Sequence, residues 1–321
     1  MVGSSMAQVK VLLCKIGFLS ALIILTCFII IVVAGSQKNH YLASVIDKHK
    51  LLKVTQSPRV ILVGGSNVAF GLDSAIIQHE LRLPVVNMAI KATIGLHYML
   101  EEVKPFIGHG DLVVVMPEYE QFYGDLPNGN DDVWLLLWYS PDGYRNLRSP
   151  SQYLALLKSF HVFMFTRSRV AWDKLTTVLR MKPESKPDLY SRSSFDEHGD
   201  FVAHLSLSPS WDGCFPAQKD ETLNEETFSS LQNLSKYAAR KKAKMVFFWP
   251  SIPETFYVAQ KAWIQRIVSK MNQYPDIRVH GTPFDSVLPV NNFFDSPYHL
   301  NATARLKRTL AISRFLLHMD K

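Results

Sequence analysis

Five short apolar runs constrain this chain more than any other feature. They are Arg59–Val63, Leu83–Met88, Asp111–Met116, Lys244–Trp249 and Asp276–Val279. Val, Ile, Leu and Phe dominate them, with little alternation between polar and apolar positions. A strand open to water on one face alternates; one covered on both faces does not. Helical patterns separate the runs, at Thr93–Lys104, Glu225–Lys241 and Tyr257–Asn272, and a last one covers Ala302–Met319. On that final helix Leu306, Leu310, Ser313 and Leu317 form the expected buried stripe. Strands alternating with helices predict an α/β fold around a central parallel sheet.

The runs are unevenly spaced. Between the third and fourth lies a long section, about 121–223, rich in aromatic and turn residues (DDVWLLLWYSPDGY, then SQYLALLKSFHVFMF). It reads as a helical insertion over the carboxyl ends of the strands, where open α/β sheets bind ligands. A peripheral subdomain or a membrane-facing lid is the plainer alternative.

A different kind of segment precedes the sheet. Ile16–Ala34 is uncharged for 19 residues. As a helix it is roughly 28 Å long, close to the ~30 Å hydrocarbon core of a bilayer. Lys10 and Lys15 precede it and no acid does, which favours a cytoplasmic N-terminus. Lys38, Lys48, Lys50 and Lys53 on the far side pull the other way. A cleaved signal peptide is the rival, but the run exceeds the usual ~7–15 residue signal core. The expected division is therefore 1–15 cytoplasmic, 16–35 transmembrane, 36–56 a polar connector, and 57–321 one extracytoplasmic α/β domain carrying the insertion.

Composition excludes several classes. The formal charge is +7, but no basic module interleaved with aromatics marks a nucleic-acid binder. Arg240, Lys241, Lys242 and Lys244 read as a solvated helix end. Of three cysteines, Cys14 and Cys27 lie in or beside the apolar run, leaving Cys214; neither a disulfide framework nor a zinc site follows. His97, His109 and His161 have no partners at metal-ligand spacing. No metal and no cofactor is expected.

Two stretches carry chemistry. In VILVGGSNVAFGLDS, residues 60–74, the first strand stops at Gly64 and Gly65 and presents Ser66 and Asn67. The glycines permit tight or positive-φ backbone, and a hydroxyl there stands at a strand end. The stretch is not a phosphate loop, a dinucleotide fingerprint or a GxSxG elbow. In NNFFDSPYHLNATAR, residues 291–305, Asp295 and His299 precede the last helix. Pro297 rules out a regular helix there, and Asn301 is placed to cap the helix that follows. A serine nucleophile needs a base, and the base an orienting carboxylate.

Together the two stretches resemble the SGNH (GDSL-type) hydrolase superfamily. Within it they resemble the membrane-anchored branch related to DltD-type proteins of cell-envelope acylation. The likeness covers roughly residues 58–316 without the insertion, and VVNMAIKATIGLHYMLEEVKPFIGHGDLVVVMPEYEQF shares it. It implies a flavodoxin-like three-layer fold with Ser66 as nucleophile, His299 as base and Asp295 as its orienter. It implies an O-acyltransferase or esterase working on an envelope glycan or polymer. An acyl donor, a polymer acceptor and a membrane-bound acyltransferase partner come with it.

Three departures stand out. The family's common Asp-x-x-His is one residue longer here. The second block lacks its glycine before Gly95, so an amide of Ala89, Ile90 or Lys91 is the expected oxyanion donor. The third block has Pro117, Glu118 and Tyr119 in place of an asparagine, and a Glu118 carboxylate would repel a developing oxyanion. Glu118 is then expected to orient another group or bind a substrate hydroxyl, and Tyr119 to line the cleft. Loss of one oxyanion donor costs about 100- to 1000-fold in rate. The Ser66 amide and Asn67 are the other donors at hand. A non-catalytic binding or assembly component of an envelope polysaccharide system is the alternative function.

Overall fold

The computed structural model describes residues 2–179, 188–215 and 221–319. The chain forms two compact units. One holds the chain up to Gln37 together with the stretch that begins at Ser159; the other holds Lys38–Lys158 and most of the remainder.

The first unit contains α1 (Val2–Ala34). Within it Gln8–Ala34, 27 residues, is long and apolar enough to cross a membrane. Most of its described Leu, Ile, Val and Phe side chains are exposed. The unit also holds the later part of a long helix, α7 (Pro150–Val178).

In the second unit the helices are α2 (Val45–Val54), α3 (Ser66–Gly71), α4 (Ser74–Leu81), α5 (Leu96–Val103), α6 (Asp131–Tyr139), α8 (Glu225–Arg240), α9 (Glu254–Met271) and α10 (Ala302–His318). The strands are β1 (Val60–Gly64), β2 (Val85–Asn87), β3 (Leu112–Met116), β4 (Lys244–Phe248), β5 (Ile252–Pro253), β6 (Val279–His280) and β7 (Val287–Leu288). Five of them form one parallel sheet in the order β2-β1-β3-β4-β6. Val60 pairs with Val85 on one side and Leu112 on the other, and the register continues to Gly64 against Met116. β1 and β3 are buried along their whole length, so both faces of the sheet are covered, as their unbroken apolar sequence predicts. α4 packs against β2 and α10, while α5 and α8 pack together and against β1 and β4. β5 and β7 form a separate parallel pair.

The fifth apolar run pairs only over Val279–His280. Asp276 instead lies before the strand and receives Gln232 and Lys236. The stripe expected on α10 is rotated. Leu306 and Leu317 are exposed, and Arg305, Thr309, Ile312, Ser313 and Leu316 are buried. The reason is electrostatic: Arg305 Nη2 is 2.8 Å from Asp200 Oδ2, and both residues are buried. A buried charge needs its partner, and that requirement outranks the exposure of two leucines. Asp200 also accepts from Ser74 N–H, Ser74 Oγ and Asn87 Nδ2. One carboxylate thus ties the insertion to α4, the end of β2 and α10. Asn301 caps α10 by accepting from Ala304 N–H at 3.0 Å, as its position predicts.

The segment after α1 is more deeply built in than a polar connector. Tyr41, Leu42, Ala43, Val45 and Leu52 are buried, and so is Lys48. Lys48 Nζ donates to Asn87 O at 2.9 Å and to Gly199 O, and lies 4.6 Å from the Phe195 ring centre. Burial pushes its ammonium down to about 7, against the pull of Asp200 and Asp196.

Candidate active site

β1 ends at Gly64, and Ser66 is the first residue of α3, directly after Gly65. Gly65 has φ −84°, so left-handed backbone is not why glycine stands there. Space is. A Cβ on Gly64 would lie 2.5 Å from Met116 O, and one on Gly65 2.5 Å from Glu118 Oε1 and 2.9 Å from Ala92 N. The bare backbone lets the ends of β1 and β3 close on each other and brings Glu118 to the serine.

Ser66 Oγ donates to Glu118 Oε1 at 3.2 Å, and Asn67 N–H donates to the same oxygen at 3.2 Å. Burial raises the Glu118 carboxyl to about 7, helped by the nearby Glu120 charge; the hydrogen bonds from Asn67 and Ser66 pull only partly against this. Close to neutrality the group is therefore divided between its charged and neutral forms.

His299 sits on the turn before α10. Its Nδ1 lies 2.7 Å from Asp295 Oδ1, so the longer Asp-Ser-Pro-Tyr-His spacing still lets the carboxylate reach the ring. Tyr190, from the insertion, donates its hydroxyl to Asp295 Oδ2 at 2.5 Å and lies 3.3 Å from His299 Nδ1. Phe70 stacks on the imidazole, with ring centres 3.8 Å apart and planes at 8°. Partial burial alone would raise the Asp295 carboxyl. The hydrogen bonds from His299 and Tyr190 outweigh it and hold the group below its usual range. The Tyr190 hydroxyl is pushed well up by burial and then by its bond to Asp295, so it stays protonated and remains a donor.

Ser66 and His299 line one cavity of about 400 Å³, with His40, Tyr41, Leu42, Lys91, Asp132, Asp188 and Tyr190. Its walls come from four remote parts of the chain: the segment after α1, the ends of β1 and β2, the insertion and the turn before α10. Lys91 Nζ is 2.6 Å from Asp132 Oδ2, so the rim carries both signs of charge. The hydroxyl of Ser66 is directed to Glu118 and not to His299.

Several expected oxyanion donors are already engaged. The Ala89 N–H donates to Asn87 Oδ1 at 3.0 Å. Asn67 gives its N–H to Glu118 and its Nδ2 to Met116 O at 3.0 Å. Ile90 is buried, and its carbonyl accepts from Tyr41 Oη at 2.7 Å. Lys91 faces the cavity with its side chain. Tyr119 does not line the cleft. The turn after β3 buries it completely beside Trp249, 6.1 Å between ring centres. Trp249 is itself buried and donates Nε1–H to Gly281 O.

Sequence reasoning missed Tyr190, Phe70, His40 and Asp132. Phe70 follows Ser66 by one helical turn, a spacing that puts both on one side of α3; that signal was available. Tyr190 lies 105 residues from Asp295 and had no local signal. Among the described residues no group of acidic, His and Cys side chains is arranged to hold a metal ion. Comparison with protein-family models and with curated proteins returns no match for this chain.

Proposed function

We propose that this protein is a membrane-anchored, extracytoplasmic acyl-ester enzyme of the SGNH type, acting on a cell-envelope glycan or polymer. One observation carries the reading: Ser66 shares a cavity with a histidine already paired to a carboxylate. The strand order β2-β1-β3-β4-β6, which reverses between β1 and β3, supports the flavodoxin-like form of the fold, and the cavity takes Ser66 from the carboxyl end of β1. The apolar α1 supports the anchor, and the lysines before its uncharged core support the orientation.

Ser66 turns its hydroxyl from Glu118 to His299 Nε2 and attacks an ester or thioester carbonyl. The proton passes to Nε2 as the Oγ–carbon bond forms. His299 then protonates the leaving alcohol or thiol, and the acyl group stays on Ser66. Water or a polymer hydroxyl, deprotonated by His299, breaks the acyl-serine bond and restores the site. Asp295 and Tyr190 keep Nδ1 protonated, which leaves Nε2 as the base. Glu118 in its neutral form presents a proton and no charge to the developing oxyanion, which removes the repulsion expected of a carboxylate.

A second reading has its own observation. Glu118 occupies the Ser66 hydroxyl and the Asn67 amide, and Asn87 occupies the Ala89 amide. A site so engaged also suits a non-catalytic component that binds an envelope polymer. An active-site serine probe separates the two. A fluorophosphonate should label the purified chain at Ser66, and Ser66→Ala and His299→Ala should both abolish labelling. A folded wild-type protein that resists the probe overturns the enzyme and leaves the binder.

A further inference from the structure

The smaller unit carries a surface that the proposed chemistry does not use. On α7 and just beyond its end, Phe165, Trp172, Leu175 and Leu179 are 64, 61, 45 and 59% exposed. Single exposed apolar residues are common; four on one stripe of one helix are not. At about 100° per residue they lie between about 80° and 160° round the helix from Arg167. Thr166, Asp173 and Thr177 lie about as far round in the other direction. One flank is thus mainly apolar, interrupted by Ser168, and the other polar, with the buried Thr176 between them opposite Arg167.

What lies between the flanks fixes the setting. Arg167 is buried, and its Nη2 donates to the carbonyl of Gly35. Lys174 is on the same side; its Nζ is 3.2 Å from where a Gly35 Cβ would stand. Gly35 directly follows Ala34, the last residue of the apolar span. Two cations of α7 therefore meet the terminus of the membrane-crossing segment. Lys and Arg gather near the headgroups, and aromatic side chains settle at the same depth. From Ser159 to Leu179 there are three cations, Arg167, Arg169 and Lys174, against one acid, Asp173.

We infer that α7, from about Phe165 to Leu179, lies in the bilayer interface beside the exit of α1. Phe165, Trp172, Leu175 and Leu179 enter the acyl boundary, the exposed Arg169 and Lys174 sit among anionic headgroups, and Arg167 stays on the Gly35 carbonyl. The occupant of the apolar stripe is lipid: the stripe shares one compact unit with a helix whose own side chains are built for lipid, and its cations suit an anionic surface. This inference rests on α1 being a membrane anchor and not on the Ser66 chemistry.

The test uses the full chain in vesicles of phosphatidylcholine and phosphatidylglycerol. The emission lost in Trp172→Phe is that of Trp172. It should be quenched when the lipids carry bromine near the headgroup end of their chains, and protected from aqueous acrylamide. Leu175→Trp in the Trp172→Phe background should behave the same way, while Thr166→Trp in that background should be open to acrylamide. Trp172 quenched by acrylamide means that the stripe faces water, and overturns the inference. Trp172 shielded from both quenchers means a protein occupant, and overturns it too. Alkaline carbonate extraction reads α1 separately. A chain that stays in the membrane with Trp172 exposed sinks only the α7 assignment, whereas a chain that washes off sinks the anchor and this inference together.

Discussion

His299 Nδ1 lies 2.7 Å from Asp295 Oδ1 across an intervening Ser-Pro-Tyr. Pro297 prevents a helix there, and the turn that replaces it folds the carboxylate back onto the ring. The extra residue relative to the commoner spacing lengthens the turn without parting the pair.

Asp295→Asn should therefore be severe. Asparagine cannot hold the imidazole in the same tautomer, and turnover should drop about 10⁴-fold. Tyr190→Phe removes one donor to a charged carboxylate, a contact worth about 1.5–3 kcal/mol. Turnover should fall at least about tenfold, KM should hardly move, and the pH–rate profile should shift. Steady-state kinetics on a short-chain aryl ester across pH check both. An unchanged profile in Tyr190→Phe would mean that the tyrosine only fills space.

Glu118 predicts a pH dependence of stability. An unfolded glutamate titrates near 4.3, whereas in the fold burial holds it at about 7. Between those values the folded protein keeps a proton that the unfolded chain has lost. The contribution is full below about pH 4 and declines as pH rises to about 7, by up to about 1.4 kcal/mol per pH unit. Glu118→Gln should flatten this slope in denaturant titrations. Lys48, held at about 7, works in the opposite sense. Its unfolded value is near 10.4, so stability rises with pH from about 7 to about 10, and Lys48→Met should remove that rise.

Gly65→Ala tests the spacing at the nucleophile. The added methyl would stand 2.5 Å from Glu118 Oε1 and 2.9 Å from a backbone nitrogen. Such crowding costs about 1–3 kcal/mol, and the carboxylate is the part able to move. Serine-probe labelling should fall sharply, with the melting temperature lowered by only a few degrees. Wild-type labelling would show that Glu118 and Ser66 need not be so close.

Asp200→Ala leaves the buried Arg305 with Asp73, 3.8 Å away, in place of its close partner. Breaking such a pair costs about 3–5 kcal/mol. A chemical denaturation curve should show this, and Arg305→Met added to Asp200→Ala should recover part of the loss. A cost below about 1 kcal/mol would mean that Asp73 or water takes over the guanidinium.

Much of this architecture was legible in the sequence because parallel strands buried on both faces advertise themselves as unbroken apolar runs. The stretch from Asp295 to Asn301 was legible for a different reason: proline, base and cap are all local. Burial was not legible. Glu118 read as a fixed negative charge, because the desolvation that raises its carboxyl to about 7 depends on what packs around it. Lys48 read as one of several connector lysines for the same reason. Leu306 and Leu317 read as core because nothing beside Arg305 announces Asp200, 105 residues earlier. Tyr190 shares that difficulty, since its partner lies on the far side of β4 in the chain.

Phe70 leaves the imidazole little freedom. A ring clamped flat at 3.8 Å and held through Nδ1 can neither flip nor tilt without breaking both restraints. In the proposed reaction, proton traffic through His299 would then be confined to the edge opposite Asp295, within the ring plane. An alcohol accepting the acyl group would have to arrive along that plane. Bulky secondary hydroxyls flanked by substituents above and below should be slower acceptors than slim primary ones.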